Sequence, residues 1–200
     1  MKKPTLHTIA ILVLYLCMSF TTNYVDDIDG VTIGSQTWAT KNLDVTNFKN
    51  GDPIKQVTSD MEWLMADVNK EPAWCYFNFD EANNETFGKL YNGHAVLDKR
   101  GLAPKGWRIP SDADFKSLEA HIGKNGNQLK ADNPTNNGFS AVYSGSINTS
   151  GSFMGEYFMV WTNTKVTSTS AFYRMLNNYN SEIYRKAGKL GAGYAVRCIK

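Results

Sequence analysis

Few residues on this chain have the chemistry of acids, bases, nucleophiles or soft metal ligands. Its 200 residues include three histidines and three cysteines. His7 and Cys17 fall in an N-terminal segment that reads as a leader, which leaves His94, His121, Cys75 and Cys198. Nucleophilic catalysis needs a hydroxyl or thiol beside a base, and hydrolysis by paired groups needs an acid and a base held together. His94 lies in YNGHAV with no Cys or Ser motif beside it, and His121 sits one position before Ile122 in a helical pattern. Both read as structural histidines. Neither a G-x-S-x-G elbow nor an H-E-x-x-H zinc helix occurs. Calcium wants several clustered oxygens, and the densest acidic group is Asp26, Asp27 and Asp29, which reads as solvated. The expectation is no catalytic residue, no metal, no cofactor and no enzyme.

The elements that would position any site follow from periodicity. Val31 and Ile33 alternate with Thr32, Gly34-Ser35-Gln36 turns the chain, and Gln36 to Leu43 returns with Trp38 on one face, a hairpin pattern. SDMEWLMADV predicts a short helix ending before Pro72. Ser59 is its cap, Glu62 the capping-box partner, and Met61, Trp63, Leu64, Met65 and Val68 its apolar set. AWCYFNFD, residues 73–80, reads as a strand with Trp74, Tyr76 and Asn78 on one face. Pro104 and Pro110 bracket an extended connector. Ser111 then caps a helix carrying Asp112 and Asp114 in its first turn, where the helix dipole favours acids. Phe115, Leu118 and Ile122 share its apolar face, Lys116, Glu119 and Lys124 face water, and Gly123 stops it. Residues 123–138 are rich in Asn and Gly and read as a long loop. FSAVYSG, SFMGEYFMVWTN, AFYRMLNN, SEIYRKAG and GYAVRCIK follow as antiparallel strands. The pattern is α+β in one domain, residues 25–200.

Lys2 and Lys3 precede the uncharged run Ile9–Phe20, too short to span a bilayer and typical of a secretory signal over residues 1–20. Ser19 and Thr21 both offer cleavage positions. Cys17 offers a second reading, a lipid-modified cysteine and an outer-membrane anchor, although Leu16 stands where a small residue is usual. Either reading puts the protein outside the cytoplasm, extracellular or at the cell surface. Without Lys2 and Lys3 the 21 basic residues become 19, equal to the 19 acidic ones. That neutrality leaves no basic footprint for nucleic acid. In an oxidising compartment Cys75 and Cys198 suggest one disulfide. It would close a loop of over a hundred residues and contribute about 4–5 kcal/mol on the chain-entropy account. Two buried thiols are the alternative.

Five stretches in order, VTIGSQTWATKNLD, AWCYFNFDEANNETFGKLYN, GLAPKGWRIPSDADFKSLEAHIG, VWTN and GYAVRCIK, resemble the Fibrobacter succinogenes major paralogous domain. The resemblance implies a secreted or surface bacterial protein, often a lipoprotein, with no established reaction. GWRIPS with its helix and the closing VRC strand also resemble C-type lectin-like folds, including formylglycine-generating relatives. That implies two helices packed on a short antiparallel sheet, with long irregular loops. Family members commonly carry cysteine where this chain has Asn84 and Ala103. Pairing among the remaining cysteines would keep Cys75–Cys198, and pairing across would orphan both. Lectin calcium motifs resemble Glu71-Pro72-Ala73 and Trp161-Thr162-Asn163, each short of one oxygen ligand. The formylglycine-generating relatives would need two neighbouring reactive cysteines, which Cys75 and Cys198 do not supply in sequence. Metal-free sugar recognition uses aromatic faces and amides. Trp107 and Trp161, inside the motif stretches, read as core, whereas Trp63, Tyr157 and Tyr179 lie outside the most motif-like stretches and are the candidate ligand-binding residues. The Asn-rich loop 125–137 is the candidate contact surface. The expected role is a non-enzymatic binding domain for an extracellular glycan or protein, with a structural surface protein as the alternative and an oxidase relative third.

Overall fold

The protein is described by a computed structural model covering residues 28–200. The leader and its Cys17, together with Asp26 and Asp27, lie outside the described residues. β1 (Gly30–Ile33) and β2 (Gln36–Ala39) form the expected hairpin, with Val31 opposite Trp38. Gly34 turns it with φ +63°, a backbone only glycine takes without strain. β3 (Lys55–Gln56), α1 (Asp60–Val68), β4 (Ala73–Cys75), α2 (Asn84–Phe87), β5 (Leu90–Asn92), α3 (Gly93–Val96) and α4 (Asp112–His121) follow. The second half is strands: β6 (Ser146–Ile147), β7 (Phe153–Met154), β8 (Tyr157–Thr167), β9 (Ser170–Asn177), β10 (Tyr184–Lys189) and β11 (Gly193–Tyr194).

These strands make three sheets. The hairpin is one, β10-β9-β8 is the second, and β3-β4-β5-β11-β6-β7 is the third. Among the paired strands of the described residues, only β3 and β4 run parallel. The expected C-type lectin-like arrangement, two helices packed on a short sheet, is therefore overturned. Eleven strands dominate the described residues, and the longest helix has ten residues. The physical reason lies in α1. Its apolar residues Met61, Leu64, Met65 and Val68 face outward, and only Trp63 and Ala66 are buried. A nine-residue helix anchored by one indole cannot form a packing layer. The strand expected over residues 73–80 also ends early, at Cys75. Asn78 and Phe79 take positive φ, which turns the chain into a 3₁₀ segment at Phe77–Phe79.

α4 buries Phe115 and Leu118 against Trp38, Phe139, Phe158, Val160 and Leu176. A larger cluster gathers Trp74, Tyr91, Trp161, Tyr173 and Tyr194. The C-terminal residues thread between them. Ala39 N–H donates to Cys198 O at 2.9 Å, Leu43 N–H to Val196 O at 2.8 Å, and Arg108 and Ile199 exchange a pair of bonds at 2.9 Å. One terminal segment thus joins β2 to the connector that launches α4.

Candidate functional site

The Asn-rich loop is ordered by its own side chains. Asn125 Oδ1 accepts from Asn127 N–H, Asn133 Oδ1 from Thr135 N–H, and Asn136 Oδ1 from Gly138 N–H, at 2.9 to 3.1 Å. Asparagine suits such turns because its short amide replaces a missing backbone partner. The loop is then pinned to the turn after β9. Gly126 N–H donates to Ser181 O at 2.7 Å, and a side chain at Gly126 would meet that oxygen. Lys130 is 4% exposed, and its ammonium donates to Asn127 Oδ1 and Asn180 O, both at 2.7 Å. Burial pulls the Lys130 pKa down, and Asp132 opposes that.

Between the two turns lies a polar cleft of about 200 Å³, edged by Asp132, Asn133, Tyr143, Asn178 and Tyr179. Tyr143 reaches Asp132 at 3.5 Å, and burial first, then Asp132, raises the Tyr143 phenol above its usual range. Tyr179 is 69% exposed, and its hydroxyl donates to Glu156 at 3.0 Å. Asn177 Oδ1 accepts from the backbone of Tyr179 and Asn180, which fixes the turn presenting the ring. Amide edges, two phenols, a carboxylate and a buried cation in one small cleft can exchange hydrogen bonds with a polyhydroxylated ligand.

The other expected contact residues fare differently. Trp63 is 1% exposed, and its indole N–H donates to Gly191 O at 2.9 Å. It is a core anchor, which corrects its place as a surface platform. Tyr157 is half-buried at the start of β8 and packs on the large cluster. Only Tyr179 stands open, in the cleft with the loop. Lys130, Tyr143 and the Asn177–Asn180 turn escaped sequence reasoning. The turn alone carried a signal, a second asparagine cluster, NNYN, at a strand end.

Cys75 and Cys198 are both free and buried, so no disulfide joins them, contrary to expectation. They belong to different core clusters, Cys75 with Trp63 and Ile147, Cys198 with Tyr91 and Val196. Burial pushes both thiols up, Cys198 to about 12, which keeps them protonated and inert. His94 bonds to Asp67 at 3.2 Å, and no hydroxyl is hydrogen-bonded to its ring among the described residues. His121 packs on Gly34. Asn163 donates to Ile109 O and Glu71 pairs with Lys55, so both near-lectin motifs are tied into scaffold. No group of three or more His, Cys, Asp or Glu is placed to hold a metal among the described residues. No helix among them is long and apolar enough to cross a membrane.

No curated protein and no solved structure matches the chain. The family model described as the Fibrobacter succinogenes major domain does match, over residues 31–200. That span runs from the β1–β2 hairpin to the C-terminal segment that closes on it, and the chain belongs to the Fibrobacter succinogenes major domain family.

Proposed function

We propose that this protein is a non-enzymatic binding domain acting outside the cell, and that it recognises an extracellular glycan at the cleft between loop 125–137 and the Tyr179 turn. One observation carries the reading. A loop of asparagine turns and an exposed tyrosine are held rigidly together over a cleft whose walls are almost all hydrogen-bonding groups. Rigid amides and an aromatic face bind a sugar without the entropy cost of ordering a loop. The leader-like Ile9–Phe20 run supports an address outside the cytoplasm, with Cys17 as the lipid anchor if it is retained. A glycan array probed with the purified full chain tests the reading. Binding to one class of saccharide supports it. A blank array accompanied by self-association in light scattering favours instead a structural surface protein built on protein contacts.

A further inference from the structure

We propose a second ligand site, one for an acidic saccharide, in the cleft between α1, α3 and the β8–β9 turn. It does not depend on the loop-edge reading and shares no residue with that cleft.

The cleft holds about 600 Å³, the size of a small-ligand pocket. Close backbone packing builds it. Trp63 fastens α1 to Gly191, and one turn later on α1 the Asp67 carboxylate lies so close to Gly191 that a side chain there would strike it. Gly93 N–H donates to Leu190 O at 2.6 Å, and a methyl at Gly93 would meet the Leu190 backbone. Asn92, 1% exposed, accepts from Ala95 N–H and Ala73 N–H and so fixes α3 at the position of His94. The floor is therefore set before any ligand arrives.

Its charge is unbalanced. Lys70, Lys165 and Lys189 line it, and none of them makes an ion pair among the described residues. The two acids that border the cleft are already engaged. Asp67 holds His94 at 3.2 Å, and Asp98 takes a two-pronged bond from Arg100 at 2.9 Å. Three lysines without an ion-pair partner among the described residues thus border a concave space that Ser168 and Thr169 also line. Ammonium and hydroxyl donors together recognise a carboxylate or sulfate oxygen. Pro72, Leu97 and Leu190 supply an apolar patch that suits the C–H face of a sugar ring. The ligand class is a saccharide carrying an acid group, either a uronate or a sulfate ester.

The test is a titration of the ¹⁵N-labelled full chain, followed by NMR, with glucuronate, glucose 6-sulfate and neutral glucose. Saturable shifts of the Gly191 and Thr169 amides with an acidic sugar, and none with glucose, are expected. Whichever acid binds identifies the source of the anion. Affinity should fall at least about tenfold in Lys165→Ala/Lys189→Ala, and should weaken as salt rises from about 50 to 300 mM. Both lysines are exposed, so this variant should keep the wild-type fold, and Lys189→Glu provides a second, stronger reversal of charge. Tyr179→Ala should leave the titration unchanged, which separates this site from the loop-edge cleft. Equal binding of glucose, unchanged affinity in the lysine variants, or no saturable shift with either acid would overturn the proposal.

Discussion

Arg174 and Arg197 are equally shut off from water, at 1% and 0% exposure, yet their charges are met in opposite ways. Arg174, on β9, is met by carboxylates. It donates to Asp112 at 2.9 Å and to Glu119 at 2.5 Å, both on α4. Asp112 also takes Arg185 at 2.7 Å and Lys116 at 2.9 Å. Arg197 meets no carboxylate among the described residues. Its guanidinium donates to Asn42 Oδ1 at 2.8 and 3.2 Å, to the carbonyls of Ala39 and Thr40 at 3.1 and 3.0 Å, and to Phe139 O. Burial draws the Arg197 pKa down to about 9, which still leaves it charged at neutral pH. The first arrangement clamps a helix to a sheet with ion pairs. The second sews the terminal segment to β2 and to residue 139 with backbone oxygens. Arg197 thus fills the role the sequence assigns to a disulfide, holding the C-terminal segment to distant chain without a covalent link.

Removing Arg197 should have the largest effect. Arg197→Ala strands several buried acceptors and opens a cavity, for a loss of about 4 kcal/mol in urea unfolding. If the loss is under about 1 kcal/mol, the sewing role is wrong. Asp112→Asn should cost about 3 kcal/mol, since it leaves Arg174 and Arg185 short of their main countercharge.

Acid sharpens the contrast. Burial works to raise the Asp112 pKa, but hydrogen bonds from Arg185, Lys116 and Arg174 outweigh it and hold the carboxyl well below its usual range. Arg108 does the same for Asp114, with Ser111 helping. Groups with depressed folded pKa values give stability above the unfolded value near 4 and lose it as pH falls below that. Hydrogen exchange at about pH 3 should therefore show α4 amides opening before those of residues 196–198, where Arg197 meets no carboxylate among the described residues. Simultaneous loss would mean the two clamps are one cooperative unit. Lys116→Ala removes only the exposed partner of Asp112 and leaves Arg174 and Arg185 on that carboxylate, so it should cost only about 0.3–0.5 kcal/mol. Reducing agent should leave the melting temperature unchanged, because Cys75 and Cys198 are already thiols.

Local signals were legible in the sequence, and tertiary ones were not. The Ser111–Asp114 capping box is present with both bonds, and Gly123 follows the helix with φ +62°. Such features are decided within a few residues. At α1 the expected box is half formed: Ser59 accepts from Glu62 N–H, while the Glu62 carboxylate reaches Thr58 instead. The apolar stripe of the same helix points outward, since periodicity tells which residues share a face and not which way that face turns. Glu119, expected to face water, instead meets Arg174, a partner 55 residues away that no local pattern encodes. At the candidate site, the loop and Tyr179 were legible from composition. Lys130, which joins them, was not, because a lysine in a polar loop gives no hint that it will be buried.

On the function proposed above, a rigid scaffold presents loop 125–137 and Tyr179 as one glycan-binding edge. Its most direct test is a titration of the best array saccharide into wild type and Tyr179→Ala at neutral pH, with melting curves recorded alongside. At least a tenfold loss of affinity is expected in the variant, about 1.4 kcal/mol or more for a lost aromatic contact, with the melting temperature unchanged. Identical affinities for the two proteins would contradict it.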